Sequence, residues 1–421
     1  MRNNIIRAYI KVGEKSDILG VITLIKKTVM LVAILLTCNK SMASEVDWKF
    51  FMSTAVTEST NGILTDDGVF PTQNASRFSK LGVSAYTMID DHLDAIVNLV
   101  FKQSNLYNKI YNPVDYGVVS YHLTNNLSTL RFGVLRVPVW LISDNLEVGI
   151  LHPWIRPPME VYSLNPFSSL NMVSFDNSFN LGQGKLKIDT YAGGGASEVY
   201  LRGNVTAQTS EDVRLYGATL SYELEKLFLR ASYNRASVAI EADIPTSTVV
   251  PSTGGAQYMR VFTPMKWDLG WTNFTSLGLK TELGRFILWA EYASEKSERV
   301  INIKSAAYAT LGYQIINNKL SVHFTHSKEL EADHSLHQAY KYTVVGSVKG
   351  KQYTNTLGIN YFLNNYTSLK IDVSESRFYD GGFDFSDYYP AQASGNNFPV
   401  PGENGVPDKA NLYSASIDVS F

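Results

Sequence analysis

From Val46 to Phe421 the chain repeats one unit: about ten residues of alternating apolar and polar side chains, a very short polar turn, a second alternating segment, and a longer polar stretch. Alternation with period two marks a β-strand with one apolar face. In "TLGYQIINNKLSVHF", Ala309, Leu311, Tyr313 and Ile315 share one face, while Thr310, Gly312 and Gln314 share the other. The partner segment repeats this, with Leu320, Val322 and Phe324 against Ser321, His323 and Thr325. In "TLGINYFLNNYTSLKIDV" the apolar set is Leu357, Ile359, Tyr361 and Leu363, then Leu369, Ile371 and Val373.

The tight turns fall at Asp90, Asn125, Gly182, Glu225, Glu282, Asn317 and Asn364, all in residues that accept hairpin geometry. Longer connections are expected near 58–76, 103–114, 138–170, 194–213, 238–265, 296–304, 330–350 and 378–410. A soluble sandwich mixes turn lengths at both ends and buries its apolar faces against each other. Short turns at one end and long loops at the other, with apolar-out, polar-in strands, instead predict an all-β transmembrane antiparallel β-barrel of about sixteen strands. Its short turns would face the periplasm and its long loops the outside. Tyr86, Phe101, Tyr121, Tyr222, Tyr292, Tyr366 and Tyr413 are candidates for the interfacial aromatic girdles.

Composition agrees with this class. Charged residues make up 18 % of the chain, below the ~25 % of soluble domains, yet no segment after residue 43 has the ~20 apolar residues of a spanning helix. Two lysines, the apolar run Val29 to Leu36 and then Ser41-Met42-Ala43 have the layout of a secretory signal peptide, so residues 1–43 are expected to be removed and 44–421 to form one barrel domain. The single cysteine, Cys38, lies inside that signal, so the exported chain holds together without disulfides. Residues 1–43 carry seven basic and two acidic side chains; without them the net charge moves from −2 to −7. An acidic chain of this kind offers no case for nucleic-acid binding.

The last segment, "LYSASIDVSF", is itself alternating and is expected to pair with the first strand near Val46 to Val56, closing the barrel and leaving no edge. Its ending resembles the C-terminal signature read by the barrel-assembly machinery of Gram-negative bacteria, carried here by Tyr413, Ile417, Val419 and Phe421.

Through strand number, turn asymmetry and this signature, the sequence resembles the Gram-negative outer-membrane porins over the whole region 44–421, specifically the sixteen-stranded general diffusion type. The resemblance implies a bacterial outer-membrane channel for passive diffusion of small hydrophilic solutes and ions, a homotrimer, contact with outer-membrane lipid and lipopolysaccharide, and no cofactor. In that family the third long loop folds into the lumen and narrows it. Here that connection, 138–170, is rich in proline and carries Trp140, Trp154, Ile155 and Tyr162, the composition of a packed loop.

Selectivity in such a pore depends on opposed charges at the narrowing. The loop offers Asp144, Glu147 and Glu160 with Arg156, and strand parity sets Arg131 on the wall opposite, with Lys187, Arg230 and Lys370 also lining the lumen. Two rival readings are a substrate-specific channel, preferring anions or sugars, and a structural or adhesion barrel with a blocked lumen. An enzyme would need a nucleophile with its base, and none stands out. The histidines of "HFTHSKELEADHSLH" (His323, His326, His334 and His337) fit no closed metal site and read as a solvated loop.

Overall fold

The computed structural model describes residues 45–59, 64–65, 68–69, 78–102, 113–123, 127–164, 167, 169–195, 198–201, 205–209, 213–252, 255–298, 301–335, 351–379 and 409–421. Residues 1–43, and with them the expected signal segment, lie outside this set, as do His337 and most of the seventh and eighth long connections.

Sixteen antiparallel strands form a closed ring. They are β1 (Val46–Ser59), β2 (Lys80–Met88), β3 (Leu93–Lys102), β4 (Val114–His122), β5 (Ser128–Arg136), β6 (Ser169–Leu181), β7 (Gly184–Gly195) and β8 (Val213–Leu224). The second half comprises β9 (Leu227–Ser252), β10 (Gly255–Leu283), β11 (Phe286–Ser297), β12 (Ile301–Ile316), β13 (Leu320–Ser335), β14 (Lys351–Asn364), β15 (Thr367–Tyr379) and β16 (Lys409–Ser420). Each strand pairs with its sequence neighbours, and β16 pairs with β1 from Phe51↔Ser420 to Ser59↔Leu412, which closes the sheet. Every ring strand has nine or more residues, the length a tilted strand needs to cross a ~30 Å hydrocarbon layer. Among the described residues no helix is long and apolar enough to cross a membrane.

The burial pattern is that of a soluble protein turned inside out. Leu311, Leu357 and Ile371 on the outer face are 55 %, 60 % and 57 % exposed, whereas inner-face Thr310, Asp372 and Asn234 are 0 %, 4 % and 0 % exposed. Alternation dictates this, because a closed sheet sends successive side chains to opposite sides of one wall. An apolar outer surface of this extent suits hydrocarbon rather than water.

Six of the seven tight connections lie at one end of the ring, as the turn residues predict; the seventh, at Asn125, lies outside the described residues. Gly182 (φ 61°), Gly284 (φ 64°) and Asn318 (φ 55°) adopt the left-handed backbone that these turns require. Two expectations are corrected. The fifth long connection is a continuation of β9 and β10, paired from Ala239↔Asp268 to Ser252↔Gly255 after a register shift at Val238/Ala239. A short hairpin, Glu198–Leu201 with Val205–Thr209, adds to its side through Ala207↔Ala242 and Thr209↔Ile240. The second correction concerns Tyr86, which shares the inner face with Gly82 and Ser84 and so is no girdle residue: its register partner Ile96 packs on the internal core. Phe101, Tyr121, Tyr292 and Tyr413 do lie exposed on the outer face.

Candidate pore constriction

After Arg136 the chain turns into the ring instead of away from it. The Val139 carbonyl accepts hydrogen bonds from Ser232 on β9 (2.5 Å) and Ser276 on β10 (2.8 Å), and the Leu141 amide donates to Glu291 Oε1 on β11 (2.7 Å). A 3-10 turn follows at Ser143–Asn145, with a second at Gly149–Leu151 and a helical turn, α1, at Met159–Tyr162. Trp154 Nε1 donates to Thr325 Oγ1 on β13 (2.8 Å), and the Ile155 amide donates to Asp372 Oδ2 on β15 (2.8 Å). Tyr162 returns its hydroxyl to Glu291 Oε2 (2.8 Å). The segment therefore crosses the inside of the ring along β9 to β16.

An internal apolar core forms where it does so. Val137, Val139, Trp140, Trp154, Val161 and Phe167 are all at most 2 % exposed and pack with Phe274, Trp289 and Tyr308 of the wall. Trp154 meets Trp289 edge-on at 5.1 Å and Tyr308 at 5.6 Å, the geometry aromatic quadrupoles favour. Each buried large side chain contributes roughly 1.5–3 kcal/mol, so the loop is held as firmly as a domain core. Gly149 allows its closest approach to the wall: a Cβ there would sit 2.4 Å from Asp418 Oδ1 and 2.5 Å from Ser53 Oγ.

Polar anchors complete the fixation. Glu147 meets Lys102 Nζ at 2.8 Å, Lys80 Nζ at 3.3 Å and Arg136 Nη2 at 3.5 Å. Burial acts to raise its pKa, but the three cations outweigh it and hold the carboxyl well below the usual range. Glu160, 1 % exposed, accepts from Ser327 Oγ, Gln352 Nε2 and Thr354 Oγ1 on β13 and β14. Lys370 donates to the carbonyls of Gly149 (2.6 Å) and Trp154 (3.3 Å) and pairs with Asp418 at 3.0 Å. His152 stacks on Trp154, and burial, with Lys370 and Lys80 adding repulsion, pushes it down to about 3.

The residues singled out by sequence thus separate into two sets. Glu147, Glu160, Arg230 and Lys370 are fasteners between loop and wall. Arg230 donates to the Trp140 and Leu141 carbonyls and pairs with Asp144. Arg131 pairs with Asp176 of β6, to which Lys187 of β7 comes within 3.6 Å, and neither touches a loop carboxylate. Arg131, Lys187 and Asp144 keep side-chain exposures of 28 %, 38 % and 58 %, against 0 % for Lys370 and 11 % for Glu147, so water reaches the β5–β7 wall and the outer side of Asp144. Arg156 is half-buried. On the other side of the loop a cavity of about 230 Å³ is bordered by Phe51, Asn98, Asp115, Tyr116, Arg136 and Glu147.

Sequence reading missed Lys80, Lys102 and Glu291, the wall partners of the loop. All three fall on inner-face positions of alternating strands, so parity could have found them, but nothing local reveals which loop residue each will meet. The histidine-rich stretch is strand as far as Ser335, with His323 inside, 3.4 Å from Asp372, and His326 outside, bonded to Asn355. Among the described residues no group of three or more metal-binding side chains occurs.

No family model matches the chain, and no curated protein does so in sequence. Solved structures do match in shape. OmpT of Vibrio cholerae aligns over 90 % of this chain and 99 % of its own, at 12 % identity and a TM-score of 0.54. An anion-selective porin from Comamonas acidovorans covers 90 % and 100 % at 13 % identity (TM-score 0.52), and the outer-membrane channel DcaP of Acinetobacter baumannii covers 90 % and 98 % at 11 % identity (TM-score 0.53). With a closed sixteen-stranded ring, an apolar outer face and a loop packed inside it, this chain has the fold of the outer-membrane porins.

Proposed function

We propose that the protein is an outer-membrane porin, a water-filled channel for passive diffusion of small hydrophilic solutes and ions. The observation that carries this reading is the uneven exposure inside the ring: the loop packs on β9–β16 and is tied by Glu147 to β2, β3 and β5, while Arg131 and Lys187 on the β5–β7 wall and Asp144 on the loop keep side-chain exposures of 28 %, 38 % and 58 %. A sixteen-stranded ring is too wide for side chains to fill. The aperture then lies between Asp144 with Arg230 on the loop side and the Arg131–Asp176–Lys187 group on the wall. Glu147 and Glu160 set its width by fixing the loop. Similarity to the porins named above supports the same function, and the trimer form of V. cholerae OmpT supports a homotrimer. Export through the signal at 1–43 and insertion by the barrel-assembly machinery through Tyr413, Ile417, Val419 and Phe421 complete the proposal. Passage of the solute needs no catalytic group.

The depth of the loop's apolar core favours one second reading, a barrel whose lumen is blocked. Planar-bilayer recording separates the two. Discrete, salt-dependent current steps from the purified protein support the channel, and electrically silent insertion of correctly folded protein supports the blocked barrel.

A further inference from the structure

Towards the short-turn end of the ring, the inner face of β3–β6 carries an ionisable cluster whose bonds run within the wall. Register sets Ser120 beside Asp94 and Arg131, His122 beside Thr129, and Thr129 beside Asp176. His122 Nε2 lies 2.6 Å from Asp94 Oδ2, and its Nδ1 lies 3.2 Å from Thr129 Oγ1. Asp94 and Thr129 are buried, whereas the His122 side chain is 37 % exposed. Of the histidines whose side chains are described, His152 and His323 are buried, His326 lies outside, and His92 stands by Tyr121 of the outer face at 6.1 Å. That leaves His122 as the one that water in the lumen reaches.

Both partners of the ring suit either of its charge states. Asp94 accepts from Nε2–H whether or not Nδ1 carries a proton, and the Thr129 hydroxyl rotates to donate to a bare Nδ1 or to accept from a protonated one. His122 therefore takes up a proton without giving up a bond. The groups around it are Asp94 from β3, Arg131 with Thr129 from β5 and Asp176 from β6, while Tyr86 on β2 feels the Asp94 charge and His92 meets the His122 carbonyl at 3.1 Å. Asp189 on β7 stands beside Asp176, which pairs with Arg131 and Lys187. At pH 8 this wall sets three carboxylates against two cations, and a protonated His122 makes the two signs equal. Histidine is the side chain that changes charge between pH 5 and 8, and a charge on a water-reached wall biases which ions enter.

We propose that His122, held between Asp94 and Thr129, is a specificity-determining residue that ties the ion preference of the pore to pH: uncharged, it leaves the wall acidic, and protonated, it shifts the preference towards anions. This rests on the reading of the barrel as an open channel. The test is the reversal potential of the full barrel in planar bilayers under a potassium chloride gradient, at pH 8 and at pH 5. The chloride-to-potassium permeability ratio should rise about twofold on acidification near 0.1 M salt, and by less near 1 M. His122→Gln should lose at least half of that rise, the remainder coming from the wall carboxylates, and His122→Lys should show the low-pH ratio already at pH 8. His92→Gln and His326→Gln should respond to pH as the unaltered protein does, and heat-modifiable migration checks that each variant is folded. A ratio indifferent to pH in the unaltered protein, a full response in His122→Gln, or an unshifted ratio in His122→Lys would overturn the proposal and leave the channel standing. Folded barrel that inserts without current would overturn the channel reading, and the proposal with it.

Discussion

Glu147 Oε1 lies 2.8 Å from Lys102 Nζ, and with Lys80 on its other oxygen it fastens the internal loop to β2 and β3. Replacing it by Gln removes the carboxylate that Lys80, Lys102 and Arg136 share, and leaves Asp115 paired with Arg136 as the neighbouring negative charge. Breaking a buried pair costs roughly 3–5 kcal/mol; Lys102 is a third exposed, so about 2–3 kcal/mol is expected here. The measurement is the urea midpoint of the barrel in lipid vesicles, which should fall in Glu147→Gln, together with open-channel noise, which should rise. An unchanged midpoint and quiet current would mean that the loop is held by its apolar core alone.

Acidification should loosen the same loop in two stages. His152 is neutral when folded and its pKa is lowered from 6.5 to about 3, so its contribution is fully present above pH 6.5. Below that it is lost by up to ~1.4 kcal/mol per pH unit, until the folded pKa is reached. Glu147 is also depressed, so its contribution holds above the unfolded value of ~4.3 and falls away as pH drops below that. Stability measured against pH should therefore decline from about 6.5, and His152→Phe should flatten the curve between about pH 6.5 and 4.5. A wild-type profile flat across that interval would show that His152 is solvated.

On the outer face, Leu311→Arg or Ile359→Arg should destabilise the barrel by about 2–4 kcal/mol if near the bilayer midplane. The matching inner-face control is Lys187→Gln, where water already reaches the side chain and little change is expected. Thr310 and Asn360 would be poor controls despite their inward parity. Thr310 shares Trp154 Nε1 with Thr325, and both Thr310 and Asn360 are covered. Equal effects at Leu311 and Lys187 in vesicle unfolding would contradict the assignment of faces.

Phe421 exchanges both backbone hydrogen bonds with Phe50 (2.6 and 2.9 Å) and stacks on its ring at 5.6 Å. Phe421→Ala should keep those backbone bonds while removing the ring, lowering the yield of heat-modifiable barrel in the outer membrane without reducing export to the periplasm. Normal yield would show that neither the closure of the ring nor its assembly depends on this side chain.

Much of the wall is legible in the sequence because alternation is local: Leu357, Ile359, Ile371 and Val373 announce their faces by spacing alone. The β9–β10 extension is not, since Pro245, Pro251 and Pro264 with surrounding Ser and Thr resemble a loop, and a two-stranded ribbon tolerates proline beyond Ala242, where the described side pairing ends, as a central strand does not. Tyr86 shows the limit of residue type as a guide, because its parity, not its ring, decides its side. The loop's fasteners lie further beyond local reading. Glu160 finds Ser327, Gln352 and Thr354 at separations of 167 to 194 residues, set only when the ring closes.

The claim that water and ions pass between Asp144 and the β5–β7 wall is tested most directly by the reversal potential of single channels in a potassium chloride gradient. Asp144→Asn removes negative charge from the accessible side of the loop and should shift the potential towards anion preference, and Arg131→Gln should shift it towards cations. Both shifts should shrink as the Debye length falls from ~10 Å at 0.1 M to ~3 Å at 1 M salt. Glu160→Gln, buried among Ser327, Gln352 and Thr354, should leave it unchanged. A conducting channel whose reversal potential ignores both Asp144 and Arg131, or responds to Glu160 instead, would contradict this path.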